Sequence, residues 1–182
     1  MEWNIIGFVT AATLVWLVII FNKLVQARNL VRAAFSDIDI QLVRRHQLIP
    51  SLVATTKAYM AHERATFVSI SELRVLASRF EHAALVDGRP EIENALTDAV
   101  NTLLVLSEDY PDLKASKKFS KLQNDLVEIE DHIQHARRFY NGAVKKLNNS
   151  VQKFPDLLVA KLFHFKMEVY FSDKRLSGAP II

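Results

Sequence analysis

The chain has 182 residues, half of them hydrophobic, with four Gly, five Pro and no Cys. That length fits one domain, the scarcity of turn residues disfavours many-stranded sheets and glycine-looped nucleotide folds, and the missing thiols exclude disulfides, zinc-thiolate sites and iron-sulfur clusters. The 23 basic and 20 acidic residues, net +3, are too evenly matched for a nucleic-acid signature, although the segment 51–111 is acidic and both flanks are basic.

From Ile5 to Phe21 no residue is charged, and with Trp3 and Asn4 the run reaches the roughly 17 to 25 residues of a bilayer-spanning helix. The predicted anchor contacts are Trp3, Ile5, Ile6, Phe8, Leu14, Trp16, Leu17, Ile20 and Phe21. A cleaved signal peptide is the rival, because Val25-Gln26-Ala27 imitates a small-x-small site. Glu2 in place of a basic n-region and the length of the apolar run argue for a retained anchor. Lys23, Arg28 and Arg32 follow the span, so the positive-inside rule puts the N-terminus outside and the bulk of the chain in the cytoplasm.

Beyond the span, Val31, Phe35, Ile38 and Leu42 step by four, three and four, and Val53, Met60, Phe67 and Ile70 continue one stripe past Pro50. The pattern predicts one long amphipathic helix, kinked near His46 to Ile49, projecting on the order of 90 Å beyond the membrane. Asp87-Gly88-Arg89-Pro90 predicts a loop. Glu91 opens a second helix with Ile92, Leu96, Ala99, Leu103, Leu106 and Tyr110 on one face, interrupted by Tyr110-Pro111-Asp112. Ser116 is the expected N-cap of a third helix, whose seam is Phe119, Leu122, Leu126, Ile129, Ile133, Ala136, Tyr140, Ala143 and Leu147. Pro155 ends that helix and starts a short one, Asp156 to Phe163, before an aromatic tail.

Three striped helices can bury their seams only against one another, so the expected fold is all-α: an antiparallel bundle of heptad-patterned helices with the transmembrane helix continuous with the first bundle helix. The expected divisions are an anchor at 1–22, a cytoplasmic bundle at 23–163 and a basic, aromatic tail at 164–182.

Residues that could carry chemistry lack a geometry to carry it. Glu128, His132 and His135 share one shoulder of the third helix, but without the converging spacings of di-iron or metalloprotease sites no metal is expected. His62-Glu63, Arg44-Arg45-His46 and Arg137-Arg138 read as helix-surface charge; the arginines could hold a lipid headgroup or a partner carboxylate. Lys114, Lys117, Lys118 and Lys121 lack interleaved aromatics for nucleic acid and suit anionic lipid or an acidic partner. The candidate lipid or partner contacts are Lys23, Arg28, Arg44, Arg45, Phe163, Phe165, Tyr170 and Phe171. No catalytic residue, cofactor or nucleic acid is expected.

The chain resembles the LemA family in Arg28-Asn29-Leu30-Val31, in Ser36 to Pro50, in Tyr110-Pro111-Asp112-Leu113-Lys114-Ala115, in Ala136-Arg137-Arg138-Phe139-Tyr140-Asn141, and in Phe154-Pro155, Leu162-Phe163 and Phe165-Lys166. His164 stands where that family usually has Gly, Gly142 replaces an acidic residue and Phe35 replaces Trp. The resemblance implies a single-pass bacterial inner-membrane helical bundle with no established enzymatic activity, associated with membrane organisation and membrane-embedded peptidases. The leading expectation is a self-associating scaffold that shapes the membrane, with lipid, further copies and a membrane protein as partners. The alternative is an adaptor for a membrane enzyme.

Overall fold

Apolar residues at three- and four-residue steps make helix the cheapest way to bury one face, and the computed structural model, which describes residues 2–79 and 89–171, contains helices and no strand among those residues. In chain order they are α1 (Glu2–Lys57), α2 (Arg64–Ser78), α3 (Arg89–Leu106), α4 (Pro111–Lys114), α5 (Lys117–Gln152) and α6 (Asp156–Leu162). Asp87 and Gly88 of the expected loop, and the tail beyond Phe171 with Lys174 and Arg175, lie outside the described residues.

The chain divides into two units: Met1–Ser36 with Arg138–Tyr170, and Asp37–Arg137 with Phe171–Ile182. In the first, Leu24, Ala27, Val31 and Ala34 of α1 are buried, as are Tyr140, Val144, Leu147 and Val151 of α5 and Val159 and Ala160 of α6. In the second, the core gathers Ile49, Leu52, Met60, Phe67, Ile70, Leu96, Leu103, Leu113, Phe119, Leu122 and Leu126. Each fully buried Leu, Ile or Phe contributes about 1.5–3 kcal/mol.

Several boundaries fall where the sequence puts them. The Ser116 hydroxyl accepts the Phe119 N–H at 3.5 Å, the N-cap bond to the third helical residue. Pro155 precedes α6, and the last turn of α6 closes on the left-handed His164 (φ 56°), with Phe165 N–H donating to Ala160 O at 2.9 Å and His164 N–H to Lys161 O at 3.3 Å. This is a Schellman motif, whose left-handed position favours Gly.

Two boundaries differ. Arg89 and Pro90, expected in the loop before Glu91, are the first residues of α3 and are buried there. The first helix does not run on through Phe67 and Ile70; it passes Pro50, ends at Lys57, and a new helix begins at Arg64. Residues 58–63 contain neither Gly nor Pro. The break is made by packing instead: Tyr59 and Met60 N–H both donate to Thr56 O at 3.0 Å, and the Met60 side chain is fully buried. Arg74 Nε then donates to His46 O at 3.0 Å, so α2 folds back along α1. A heptad stripe keeps its spacing whether a helix continues or doubles back, which is why the pattern alone missed the break. From Phe21, α1 therefore extends about 50 Å rather than 90.

Candidate functional site

The surface with the clearest physical demand is the N-terminal part of α1. Trp3, Ile5, Ile6, Phe8, Leu14 and Trp16 are exposed, Leu17 is half-buried, and this helix is long and apolar enough to cross a membrane. Its two hydroxyls need no water: Thr10 donates to Ile6 O at 2.8 Å and Thr13 to Val9 O at 2.9 Å. Ile20 and Phe21 differ from the other anchor residues. Ile20 is buried and Phe21 half-buried, with its ring 4.8 Å from Phe163 and 5.8 Å from Phe165 between centroids.

The residues singled out near the span come together around this junction. Lys23 Nζ pairs with Asp156 Oδ2 at 2.5 Å, and the Arg28 guanidinium lies 5.0 Å from the centre of the buried Phe165 ring. The chain after α6 is pinned along α5. Asn148, itself buried, donates through Nδ2 to Glu168 O and accepts the Glu168 N–H at Oδ1, both at 2.9 Å. The Tyr140 hydroxyl donates to Val169 O at 2.9 Å; burial and the nearby Glu168 charge push it up to about 12. Tyr170 is exposed, whereas Phe171, in the second unit, is buried with Arg137 stacked 4.6 Å above its ring.

The second unit holds a cluster that the sequence did not reveal. Of Arg44-Arg45-His46 only Arg44 is exposed, so surface charge describes one residue of the three. Arg45 Nη2 pairs with Glu93 Oε2, and its Nη1 donates to Thr97 Oγ1 and, at 3.1 Å, to Glu130 Oε2. His46 Nε2 lies 3.2 Å from Glu93 Oε2. Glu93 is fully buried and its Oε1 has no hydrogen-bond partner. Burial pushes the Glu93 carboxyl up, but the His46 hydrogen bond and the Arg45 charge outweigh it and hold it below the ordinary 4.5. Arg89 and Asp39 form a second buried pair. These pairs tie α1 to α3 and α5, and a cavity of about 120 Å³ beside Arg45 and Thr97 is lined by Asn101, Glu130 and Asp131 and by Val100, Leu104, Leu126 and Val127. The signal that could have found the cluster is Glu93 itself, an acidic residue one position after Ile92 in a predicted seam.

The remaining candidates are exposed. Arg44, Glu128 and His132 line one groove of about 300 Å³ with Gln41, Gln47 and Asp125; His132 Nε2 is 3.6 Å from Glu128 Oε1, and His135 lies outside that lining on an exposed face. Lys114, Lys117 and Lys121 line a second groove with Ser116, Ser120 and Asp125. His62 is exposed in the 58–63 reversal and Arg138 on α5. Among the described residues no three His, Cys, Asp or Glu converge as metal ligands.

Residues 34–180 match the LemA family. The chain is 24% identical over 185 residues to magnetosome protein MamQ 2 of Paramagnetospirillum magneticum, covering 89% of this chain and 68% of that protein. It is 22% identical over 202 residues to magnetosome protein MamQ of Magnetospirillum gryphiswaldense, covering 98% and 72%. To protein LemA of Metamycoplasma hominis it is 26% identical over 151 residues, covering 82% and 65%.

Proposed function

The chain belongs to the LemA family, and from that premise we propose that it is a single-pass, membrane-anchored helical scaffold that associates with copies of itself and organises or bends the bacterial inner membrane. The observation that carries this reading is α1: one helix whose first part exposes an all-round apolar surface and whose remainder is packed with other helices. An exposed surface of that kind is stable only in lipid. Likeness to proteins named for the magnetosome supports a membrane-associated role.

In this reading the helices form an antiparallel bundle. Within the first unit Lys23 meets Asp156 and Phe35 meets Tyr140, so numbers rise on one helix as they fall on the chain opposite. Within the second, Asp39 meets Arg89 and Arg45 meets Glu93, rising together, while Asn94 meets Arg137 and Thr97 meets Glu130 in the opposite sense. Association within the bilayer would use Gly7 and Ala11, one turn apart; an added Cβ at Gly7 meets nothing within 4 Å, leaving that face open to a neighbour.

The test is the mass of the full chain extracted in mild detergent with its lipid. A defined assembly of many copies is expected, and a monomer would overturn the scaffold reading. Orientation is tested separately: a tag after Ile182 should be inaccessible from outside intact cells, and one before Met1 accessible. The polar groove around Arg44, Glu128 and His132 favours a second reading, an adaptor for a membrane enzyme such as a membrane-embedded peptidase. Stoichiometric co-purification of such an enzyme, lost in Arg44→Glu, would establish it.

A further inference from the structure

The short helix α6 is set across α1 rather than along it. Its first residue, Asp156, pairs with Lys23, and Phe163, directly after its last residue, packs on Phe21. Seven helical residues rise about 10 Å, whereas Phe21 and Lys23 are about 3 Å apart along α1. Both ends of α6 therefore meet α1 at one level, just past the exposed apolar stretch that ends at Ile19.

The face of α6 that meets the first unit is Asp156, Val159 and Ala160, all buried. The other face is apolar and open: Phe154 is 73% exposed, Leu158 55%, Leu162 64% and Phe163 50%. So many large apolar side chains in ten residues are unusual on a surface that faces water. Cations flank them. Lys161 and Lys153 are exposed, and Lys23, Lys146 and Lys153 border a groove of about 460 Å³ whose one carboxylate is Asp156.

If α1 crosses the bilayer, as proposed above, a helix set across it at the end of the apolar stretch lies in the plane of the membrane surface. We propose that α6 is an interfacial foot. Phe154, Leu158, Leu162 and Phe163 sink to the boundary between headgroups and acyl chains, and Lys153 and Lys161 meet the phosphates of anionic lipids. Amphipathic helices bind in this way, about 5–10 Å deep, with their cations at the headgroups. The open face of α6 is then continuous with the lipid-facing surface of α1, and one sheet of lipid covers both.

The inference rests on reading α1 as a membrane span, so the experiment follows both. The full chain is reconstituted in vesicles of phosphatidylglycerol and phosphatidylcholine, the latter brominated near the top of its acyl chains. Three single-tryptophan proteins are compared: Trp3→Phe, which keeps Trp16; Leu162→Trp with Trp3→Phe and Trp16→Phe; and Val105→Trp in the same background, on the exposed face of α3. Helix content is checked in each, with Leu158→Trp standing in if the Leu162 variant misfolds. The expected result is loss of about half the emission or more from Trp16 and from the tryptophan at 162, and none from that at 105. Quenching of Trp16 without quenching at 162 or 158 overturns the foot while leaving the span intact; blue-shifted, unquenched emission there would mean that a second copy covers α6. An unquenched Trp16 overturns the span and the foot with it.

Discussion

His164 is held in the left-handed region, where a Cβ crowds the backbone at a cost of about 1–2 kcal/mol, and the Schellman bonds to Ala160 and Lys161 keep it there. His164→Gly should raise stability by about 1 kcal/mol in a urea titration in mild detergent, with α6 unchanged. His164→Val should lower it, because a β-branched side chain tolerates that conformation least. The buried Arg45–Glu93 pair makes the opposite case. Glu93→Gln leaves the Arg45 guanidinium without its closest countercharge and should cost about 3 kcal/mol or more at neutral pH. Because the folded protein lowers the Glu93 pKa, its ionised form contributes stability in full above the ordinary 4.5 and loses it as pH falls through the lower, folded value. Urea midpoints for the two proteins should therefore converge on acidification, and a gap that stayed constant down to the acid transition would show that Glu93 ionisation is not what stabilises the cluster.

At the scale of elements, one amide holds the backbone of Glu168 on both sides in the chain after α6. Asn148 offers a donor and an acceptor to Glu168, and no apolar residue can replace either. Asn148→Ala should free the segment around Glu168 to proteolysis and cost about 1–3 kcal/mol, with α5 itself intact. In α5 the seam and the shoulder should separate cleanly. Ile133 is fully buried, so Ile133→Asp should unfold or loosen the second unit; His132 is exposed, and His132→Ala should leave the melting temperature within about 2 °C of the parent. The starts of α5 and α6 were legible because Ser116 and Pro155 act locally, through one side-chain bond and one missing N–H. The break at residues 58–63 was not, because Met60 makes it by burial among Leu52, Phe67 and Ile70, residues of α1 and α2 that meet only after folding.

At the scale of the whole molecule, the chain after α5 returns to the first helix within its own unit: α6 lies against Phe21 and Lys23, just past the exposed apolar stretch of α1. If copies associate through the span, as proposed, Gly7→Ile should reduce the mass measured in mild detergent while leaving helix content unchanged, because the added side chain fills open space in its own chain and obstructs only a neighbour. An unchanged mass would show that Gly7 does not lie at a contact between copies. The sequence by itself determined the all-helical class, the apolar N-terminal helix, the starts of α5 and α6 and the family, since periodicity, a cap, a proline and a run of motifs are each written in neighbouring residues. Only the tertiary structure decided that α1 stops at Lys57, that Arg45 and His46 are buried against Glu93, and that α6 crosses the end of the apolar stretch. Each of these depends on partners brought together by packing, and a burial pattern read along one chain cannot say which distant charge or side chain will share the core.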